Sequence, residues 1–151
     1  MIYVAGSLRN PNMPTVRDAL KQALPEHRVF MDWYSAGPTA DDHWKEYYQS
    51  QGLDYLSALK EPASVNVYNF DKKHIDMSDY MVLVLPAGKS GHMELGYQIG
   101  RGKQGIILLD GSADEERWDV MYQFASLVTY DINTVIGHIM EKDFHASNPR
   151  S

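Results

Sequence analysis

The sequence contains no cysteine, so neither a disulfide framework nor thiolate chemistry is available to it. Its longest apolar runs, 81–86 and 105–109, are far shorter than the roughly 20 residues that span a bilayer. It also has no cluster of lysine and arginine, and its formal net charge is −6. A protein that follows the phosphates of a nucleic-acid polymer normally has a basic face. We therefore expect a small-molecule partner, with neither a nucleic-acid polymer nor a membrane as partner.

Signals for export and for metal binding are missing as well. The N-terminus runs straight into a strand-like segment, without the basic stretch and apolar core of a signal peptide. A cytoplasmic location is therefore expected. The six histidines form no pair at metal-ligand spacing beside a carboxylate, so we predict no metal and no other cofactor.

No long Pro/Ser/Gly tract, charge block or repeat divides the 151 residues. We predict one catalytic domain over 1–144, followed by a polar, flexible tail over 145–151. Strands are predicted over 2–5, 28–31, 80–85, 105–109 and 127–130. Helices are predicted over 14–24, 41–61 (with Gly52 as a point of interruption), 63–77, 90–101 and 132–142. This alternation indicates an α/β fold, a doubly wound parallel sheet of about five strands with helices on both faces.

In such sheets, ligands bind beyond the carboxyl ends of the strands, where the strand order reverses. Two loops qualify: residues 6–11, the first loop, and residues 86–91, the second loop. The second loop contains Gly-Lys-Ser at 88–90, but a P-loop would need glycine where Leu83 stands inside the strand. The P-loop interpretation is therefore rejected.

The remaining feature of the second loop is a glycine-rich turn that leads into a helix, with Glu94 predicted in its first turn. Amide donors and the helix dipole at such a place favour an ionised carboxylate aimed into the crevice. Acidic residues are common in first helical turns for structural reasons alone, so position by itself does not make Glu94 catalytic.

Four short segments in order along the chain resemble the nucleoside 2-deoxyribosyltransferase superfamily. They are Ile2-Tyr3 before a glycine-containing loop, Tyr68-Asn69-Phe70-Asp71, Ser78-Asp79 and Met93-Glu94-Leu95-Gly96-Tyr97. The resemblance covers most of the chain, from 2 to about 109. It implies a flavodoxin-like fold, a covalent glycosyl-glutamate intermediate and a homo-oligomer in which a neighbouring subunit completes each site. It also implies that Glu94 is the nucleophile, that Tyr3 orients it and that Asp71 is the acid facing the base.

Glycosidic chemistry calls for the same groups. Cleavage with retention needs one carboxylate under the anomeric carbon and a second acid that serves the leaving group. A base leaves more easily once it is protonated, so Asp71 would need a pKa raised by burial. A tyrosine hydroxyl can hold the nucleophile in an attacking rotamer.

The first loop distinguishes two branches of this superfamily. Gly6-Ser7-Leu8-Arg9 resembles the phosphate-binding segment of the 2′-deoxynucleoside 5′-phosphate N-hydrolases, and amides, a hydroxyl and a guanidinium form a sound phosphate cradle. In the second loop, Gly88 replaces the acid of the transferases and the serine of the hydrolases, and Lys89 and Ser90 follow it. The missing acid argues against a transferase, and the added cation suits a phosphate. A plain turn with a solvated arginine is the structural alternative.

Several other residues have both a structural and a functional interpretation. Trp33 and Tyr34 follow the second strand, and one of them, with Trp33 as the site candidate, is expected to stack on the base. Trp44, Tyr47, Tyr48 and Tyr55 are interpreted as core or subunit contact, and Asp32, Asp41 and Asp42 as caps, solvated turns or ligand partners. His92 is either a neighbour of the site or a surface residue, and 117–122 is a candidate subunit contact by family analogy.

These observations predict a hydrolase that cleaves the base–sugar bond of (2′-deoxy)nucleoside 5′-monophosphates through a glutamate nucleophile. The substrate contacts would come from Gly6, Ser7, Arg9, Trp33, Gly88, Lys89 and Ser90. Two alternatives stay open: a nucleoside 2-deoxyribosyltransferase that exchanges bases on free deoxynucleosides, and a nucleotide-binding sensor without turnover. A sensor needs neither Glu94 nor Asp71 in its pocket.

Overall fold

A computed structural model describes residues 1–111 and 118–149, which contain one parallel sheet of five strands. The strands are β1 (Ile2–Ala5), β2 (Val29–Phe30), β3 (Tyr80–Val84), β4 (Gln104–Leu108) and β5 (Leu127–Thr129). Their order across the sheet is β2-β1-β3-β4-β5, and every neighbouring pair is parallel. This is the flavodoxin-like order, so the predicted α/β doubly wound fold is confirmed.

Six α-helices connect and follow the strands in the described residues. They are α1 (Met13–Ala23), α2 (Ala40–Ser50), α3 (Tyr55–Leu59), α4 (Pro62–Asp76), α5 (Lys89–Gly100) and α6 (Ile132–Ser147), with short 3-10 helices at Asp32–Ala36 and Val120–Phe124. The predicted helix over 41–61 is interrupted as expected, because Gly52 adopts a left-handed φ of 76° between α2 and α3. No helix in the described part of the chain is long and apolar enough to cross a membrane.

The last helix is longer than its sequence pattern predicts. It continues past 142 to Ser147, and so includes the first residues of the segment that was predicted as a tail. Asp143 lies in this extension, where it accepts hydrogen bonds from Tyr80 and His27. These tertiary contacts fix the penultimate turn, which the local sequence does not signal.

Side chains of β1 alternate between two cores. Ile2 and Val4 pack on the face that carries α1 and α6, whereas Tyr3 and Ala5 pack on the face that carries α4 and α5. All four are buried, as expected for a strand inside a parallel sheet. Tyr3 is therefore the residue of β1 whose polar hydroxyl lies on the α4 and α5 side.

The two predicted ligand loops meet where the strand order reverses, between β1 and β3. Gly91 comes so close to the first loop that an added Cβ would lie 3.7 Å from the Gly6 nitrogen and 2.7 Å from a Leu83 methyl. An added Cβ on Gly6 would lie 2.6 Å from the Met13 sulfur. Glycine at position 91 leaves room for the Leu83 methyl, and glycine at position 6 leaves room for the Met13 side chain.

Candidate active site

A groove of about 390 Å³ lies between α4 and α5, within the size range of small-molecule sites. Each helix contributes one face, with residues at the i, i+3, i+4 and i+7 spacing that aligns side chains on a helix. The lining residues are Tyr68, Asp71, Lys72 and Ile75 from α4, and Ser90, Met93, Glu94 and Tyr97 from α5. The structure thus brings Glu94 and Asp71 into the same groove.

Glu94 lies in the second turn of α5, not in the first turn as the sequence predicted. The helix begins at Lys89, so the first turn carries no acidic residue. The dipole and free amides of a helix end act mainly within the first turn, and they are therefore not the main influence on this carboxylate. Burial and one hydrogen bond take their place.

That hydrogen bond comes from Tyr3, whose hydroxyl donates to Glu94 Oε2 over 2.5 Å. The Tyr3 ring is fully buried and stacks on Phe30, with ring centroids 5.2 Å apart and planes at 28°. Burial, with the charge of Glu94, raises the pKa of the Tyr3 hydroxyl far above its usual range. The hydroxyl therefore stays protonated and remains a fixed donor to the carboxylate.

The two carboxyl groups of the groove have pKa values above their ordinary range. Burial raises the pKa of Glu94 to about 7, with a further contribution from the charge of Asp71 and an opposing one from the Tyr3 hydrogen bond. Burial also raises the pKa of Asp71, against a lowering effect of His74. Both carboxyl groups therefore keep their protons to higher pH than exposed acids do.

The first loop presents Arg9 at the carboxyl edge of the sheet. The Arg9 amide donates to Ser7 Oγ over 3.1 Å, and the Arg9 guanidinium pairs with Asp42 of α2 over 3.2 Å. Both charged side chains are largely exposed, so water competes for this ion pair. Of the aspartates considered from sequence, Asp42 is thus a partner of Arg9.

The second loop ends in the N-terminus of α5, where Gly88 is the capping position and Lys89 and Ser90 are exposed. Ser90 lines the groove. His92 points away from Glu94: its Nδ1 lies 2.8 Å from the Gly88 carbonyl oxygen, and its Nε2 lies 2.8 Å from the Tyr122 hydroxyl.

The other aromatic candidates have structural contacts. The Trp33 indole N–H donates to the Val4 carbonyl over 2.8 Å, and the ring packs against both cores. Trp44 donates to Ser64 Oγ and meets Tyr48 and Tyr55 edge to face, so these three rings join α2, α3 and α4. In the candidate subunit segment, residue 117 lies outside the described residues, and Trp118 is 88% exposed.

Among the described residues, one group could hold a metal ion. Glu26, His27 and Asp143 offer ligand atoms within 4.8 Å of one another. Asp143 bonds with Tyr80, the first residue of β3, so the group lies at the amino edge of the sheet. The groove carboxylates are not part of it.

Sequence reasoning missed five residues that line the groove as functional candidates, namely Tyr68, Lys72, Ile75, Met93 and Tyr97. A signal for them was present. Tyr68 stands three residues before Asp71 and Tyr97 three residues after Glu94, so each shares a helical face with the predicted catalytic residue. No protein-family model matches the chain, and no curated protein matches it either.

Proposed function

We propose that the protein hydrolyses the N-glycosidic bond of (2′-deoxy)nucleoside 5′-monophosphates, with Glu94 as nucleophile and Asp71 as acid. One observation carries the proposal: the two carboxyl groups line one groove, and a buried tyrosine hydroxyl holds one of them. The sequence resemblance to the nucleoside 2-deoxyribosyltransferase superfamily implies the same roles.

The reaction proceeds in two displacements. The Glu94 carboxylate attacks the anomeric carbon, the carbon–nitrogen bond breaks, and its electron pair leaves with the base, which takes a proton from Asp71. A water molecule then attacks the same carbon while Asp71 accepts its proton, and the bond to Glu94 breaks. Both carboxyl groups return to their starting states. Tyr3 contributes by positioning, since its hydroxyl fixes Glu94 through a hydrogen bond.

The 5′-phosphate would lie where the two loops meet, at the Gly6 and Gly91 contact. The Arg9 guanidinium, the Ser7 hydroxyl and the amides at the start of α5 are the donors offered there, and Lys89 adds a cation. A phosphate can displace Asp42 from Arg9, because exposed ion pairs are weak. Stacking of Trp33 on the base stays a prediction.

A transferase is the second candidate. Most of the groove lining comes from the two segments that most resemble the transferases, Tyr68–Asp71 and Met93–Tyr97. A transferase would pass the sugar from Glu94 to a second base instead of to water. A sensor without turnover is less well supported, since it has no need for two carboxyl groups with raised pKa values in one groove.

A second copy of the chain is proposed to cover the groove and make the protein a homo-oligomer, a dimer or higher. Large apolar side chains at the groove and after the 112–117 segment are exposed, including Met93 (76%), Trp118 (88%) and Phe124. Such surfaces mark subunit contacts in soluble proteins. Light scattering after size exclusion should give at least twice the 17.2 kDa chain mass.

Base release measures the proposed activity directly. The protein is incubated with deoxynucleosides and their monophosphates, with and without an added acceptor base, and the free bases are quantified by chromatography. Glu94→Gln should lose at least about a thousandfold in turnover while keeping the circular dichroism spectrum of the wild type. Rapid acid quenching should trap the sugar on the peptide that contains Glu94. Retention of activity in Glu94→Gln contradicts the nucleophile assignment, and a new nucleoside formed from the acceptor base favours the transferase.

A further inference from the structure

Lys72 supplies the positive charge of the groove. Of the described residues that line the groove, it is the one cation, beside the two carboxyl groups of Asp71 and Glu94. It follows Asp71 directly on α4, and both side chains face the same cavity. Both side chains can therefore contact a ligand that fills the groove.

The Lys72 ammonium contacts Asp76 and lies over the Tyr97 ring. Its Nζ donates to Asp76 Oδ2 over 2.8 Å and lies 5.3 Å from the centre of the Tyr97 ring. The Tyr97 hydroxyl donates to Asp76 Oδ1 over 2.5 Å, so the Asp76 carboxylate links Lys72 and Tyr97. The hydrogen bond to Asp76, followed by one to Tyr97, raises the pKa of Lys72 and keeps it charged.

An ammonium has three N–H donors and no acceptor. With Asp76 and Tyr97 as partners, Lys72 keeps a donor for a ligand. When a glycosidic bond breaks, the departing base receives the bond's electron pair, and in bases with a ring oxo group much of the negative charge lies on that oxygen. A cation beside this oxygen stabilises the transition state more than the ground state. An exocyclic amino group, which offers only donors in the ring plane, gains nothing from it.

We propose that Lys72 makes the site selective for bases with a ring oxo group over bases with an amino group at the same position. The inference rests on the proposed function and adds the class of base. Asp71 protonates the ring nitrogen, and Lys72 binds the oxo oxygen of the same departing base. Asp76 and Tyr97 act as positioning residues for the ammonium.

The sharpest test compares 2′-deoxyinosine and 2′-deoxyadenosine 5′-monophosphates, which differ in a 6-oxo or a 6-amino group. The wild type should prefer deoxyinosine monophosphate. Lys72→Met should lower kcat/KM for it by roughly ten- to a hundredfold, while deoxyadenosine monophosphate changes by less than about threefold. Lys72→Arg should keep the direction of the preference. Lys73→Met, which removes an exposed lysine that does not line the groove, should change neither substrate.

Two results would overturn the assignment. One is an equal loss on both monophosphates in Lys72→Met. The other is a loss that appears on monophosphates but not on the free nucleosides, which would place the ammonium at the phosphate instead. If the wild type releases no base at all, the proposed function fails separately. Calorimetric titration with hypoxanthine and adenine then still decides the role of Lys72, because its removal should weaken only the binding of hypoxanthine.

Discussion

Glu94 and Tyr3 are 91 positions apart in sequence, yet a hydrogen bond joins them in the proposed active site. The strand alternation of β1 directs Tyr3 toward α5, and the helical period of α5 directs Glu94 toward the groove. Burial favours the neutral form of Glu94, whereas the tyrosine hydrogen bond favours its carboxylate. The ionisation of Glu94 therefore depends on the balance between burial and this hydrogen bond.

Tyr3→Phe is expected to move the pH dependence of the reaction. Glu94 must be ionised to attack while Asp71 keeps its proton, so the ionisation of Glu94, with a pKa of about 7, gives kcat/KM its rising limb and the ionisation of Asp71 gives the falling limb. Loss of the Tyr3 hydrogen bond removes an influence that lowers this pKa, so the rising limb should shift to higher pH. The activity deficit should be larger at pH 6 than at pH 9. The measurement is a pH profile of kcat/KM for both proteins.

Tyr80→Phe is the matched control, because its hydroxyl bonds with Asp143 at the amino edge of the sheet. Tyr80→Phe should leave the rising limb of the kcat/KM profile at the same pH as in the wild type. A profile of Tyr3→Phe that is lower at every pH but unshifted would show that Tyr3 does not act through the ionisation of Glu94.

At the scale of elements, two loops and two helices make the site. The loops meet through Gly6 and Gly91, and α4 and α5 form the walls of the groove. The i, i+3, i+4 and i+7 faces of the two helices are fully recognisable in the sequence. Which helix faces which is decided by their common position on one side of the sheet.

Gly91→Ala should destabilise the protein by roughly 1–3 kcal/mol, because its Cβ would overlap a Leu83 methyl at 2.7 Å in a packed core. Gly96→Ala is the control within the same helix. No atom lies within 4 Å of its added Cβ, so the higher helix propensity of alanine should stabilise the protein by up to about 1 kcal/mol. Urea unfolding of both variants measures the difference. Equal free energies of unfolding would contradict the close contact between Gly91 and Leu83.

Arg9→Ala should lower kcat/KM for monophosphates by roughly ten- to a hundredfold and leave free nucleosides almost unchanged, because a charge-assisted contact to phosphate contributes about 1.5–3 kcal/mol. Asp42→Asn tests the role of Arg9 through its ion-pair partner. It removes the competitor of the phosphate for Arg9, so monophosphate use should rise, by no more than about fivefold for an exposed pair. For each variant, the measurement is the ratio of kcat/KM for a monophosphate to kcat/KM for the corresponding free nucleoside. An equal loss on both substrates in Arg9→Ala would argue against a phosphate contact.

At the scale of the whole molecule, the two edges of the sheet have different tasks. The carboxyl edge carries the loops, whereas at the amino edge Asp143 joins α6 to the segment before β2 and to β3 through His27 and Tyr80. Burial raises the pKa of Asp143, but hydrogen bonds from His27 and Tyr80 outweigh it, so the pKa is lowered overall. The ionised form of Asp143 therefore stabilises the fold.

Asp143→Asn should reduce the free energy of unfolding by about 1.5–3 kcal/mol at pH 7. Since the pKa of Asp143 is lowered in the folded protein, its contribution is present above the unfolded pKa of about 4 and is lost as pH falls through the folded value. The difference in free energy of unfolding between wild type and Asp143→Asn should therefore decrease at acidic pH. Urea titrations across this range measure it. Asp79→Asn, which removes exposed ion pairs, is the control and should reduce the free energy of unfolding by less than about 1 kcal/mol. If the loss of stability in Asp143→Asn were independent of pH, the ionised form of Asp143 would not be what stabilises the fold.

The sequence by itself determined the fold class and the location of the ligand loops. Apolar runs such as 80–85 and 105–109, separated by helical patterns, allow only a parallel sheet with helices on both faces, and strand ends in such sheets form the crevice. The segments 68–71 and 93–97, which resemble the nucleoside 2-deoxyribosyltransferase superfamily, also predict Glu94 and Asp71 as site residues. Local patterns of this kind depend on neighbours along the chain, which the sequence states directly.

Only the tertiary structure decided what surrounds these residues. The place of Glu94 in the second helical turn, the burial that raises its pKa, the Arg9–Asp42 pair and the position of Lys72 in the groove all follow from contacts between distant segments. Burial and hydrogen-bond partners depend on which elements pack together, and no local pattern encodes that. The candidate groups lie far apart in the sequence, and the packing of α4 and α5 on one face of the sheet brings them together.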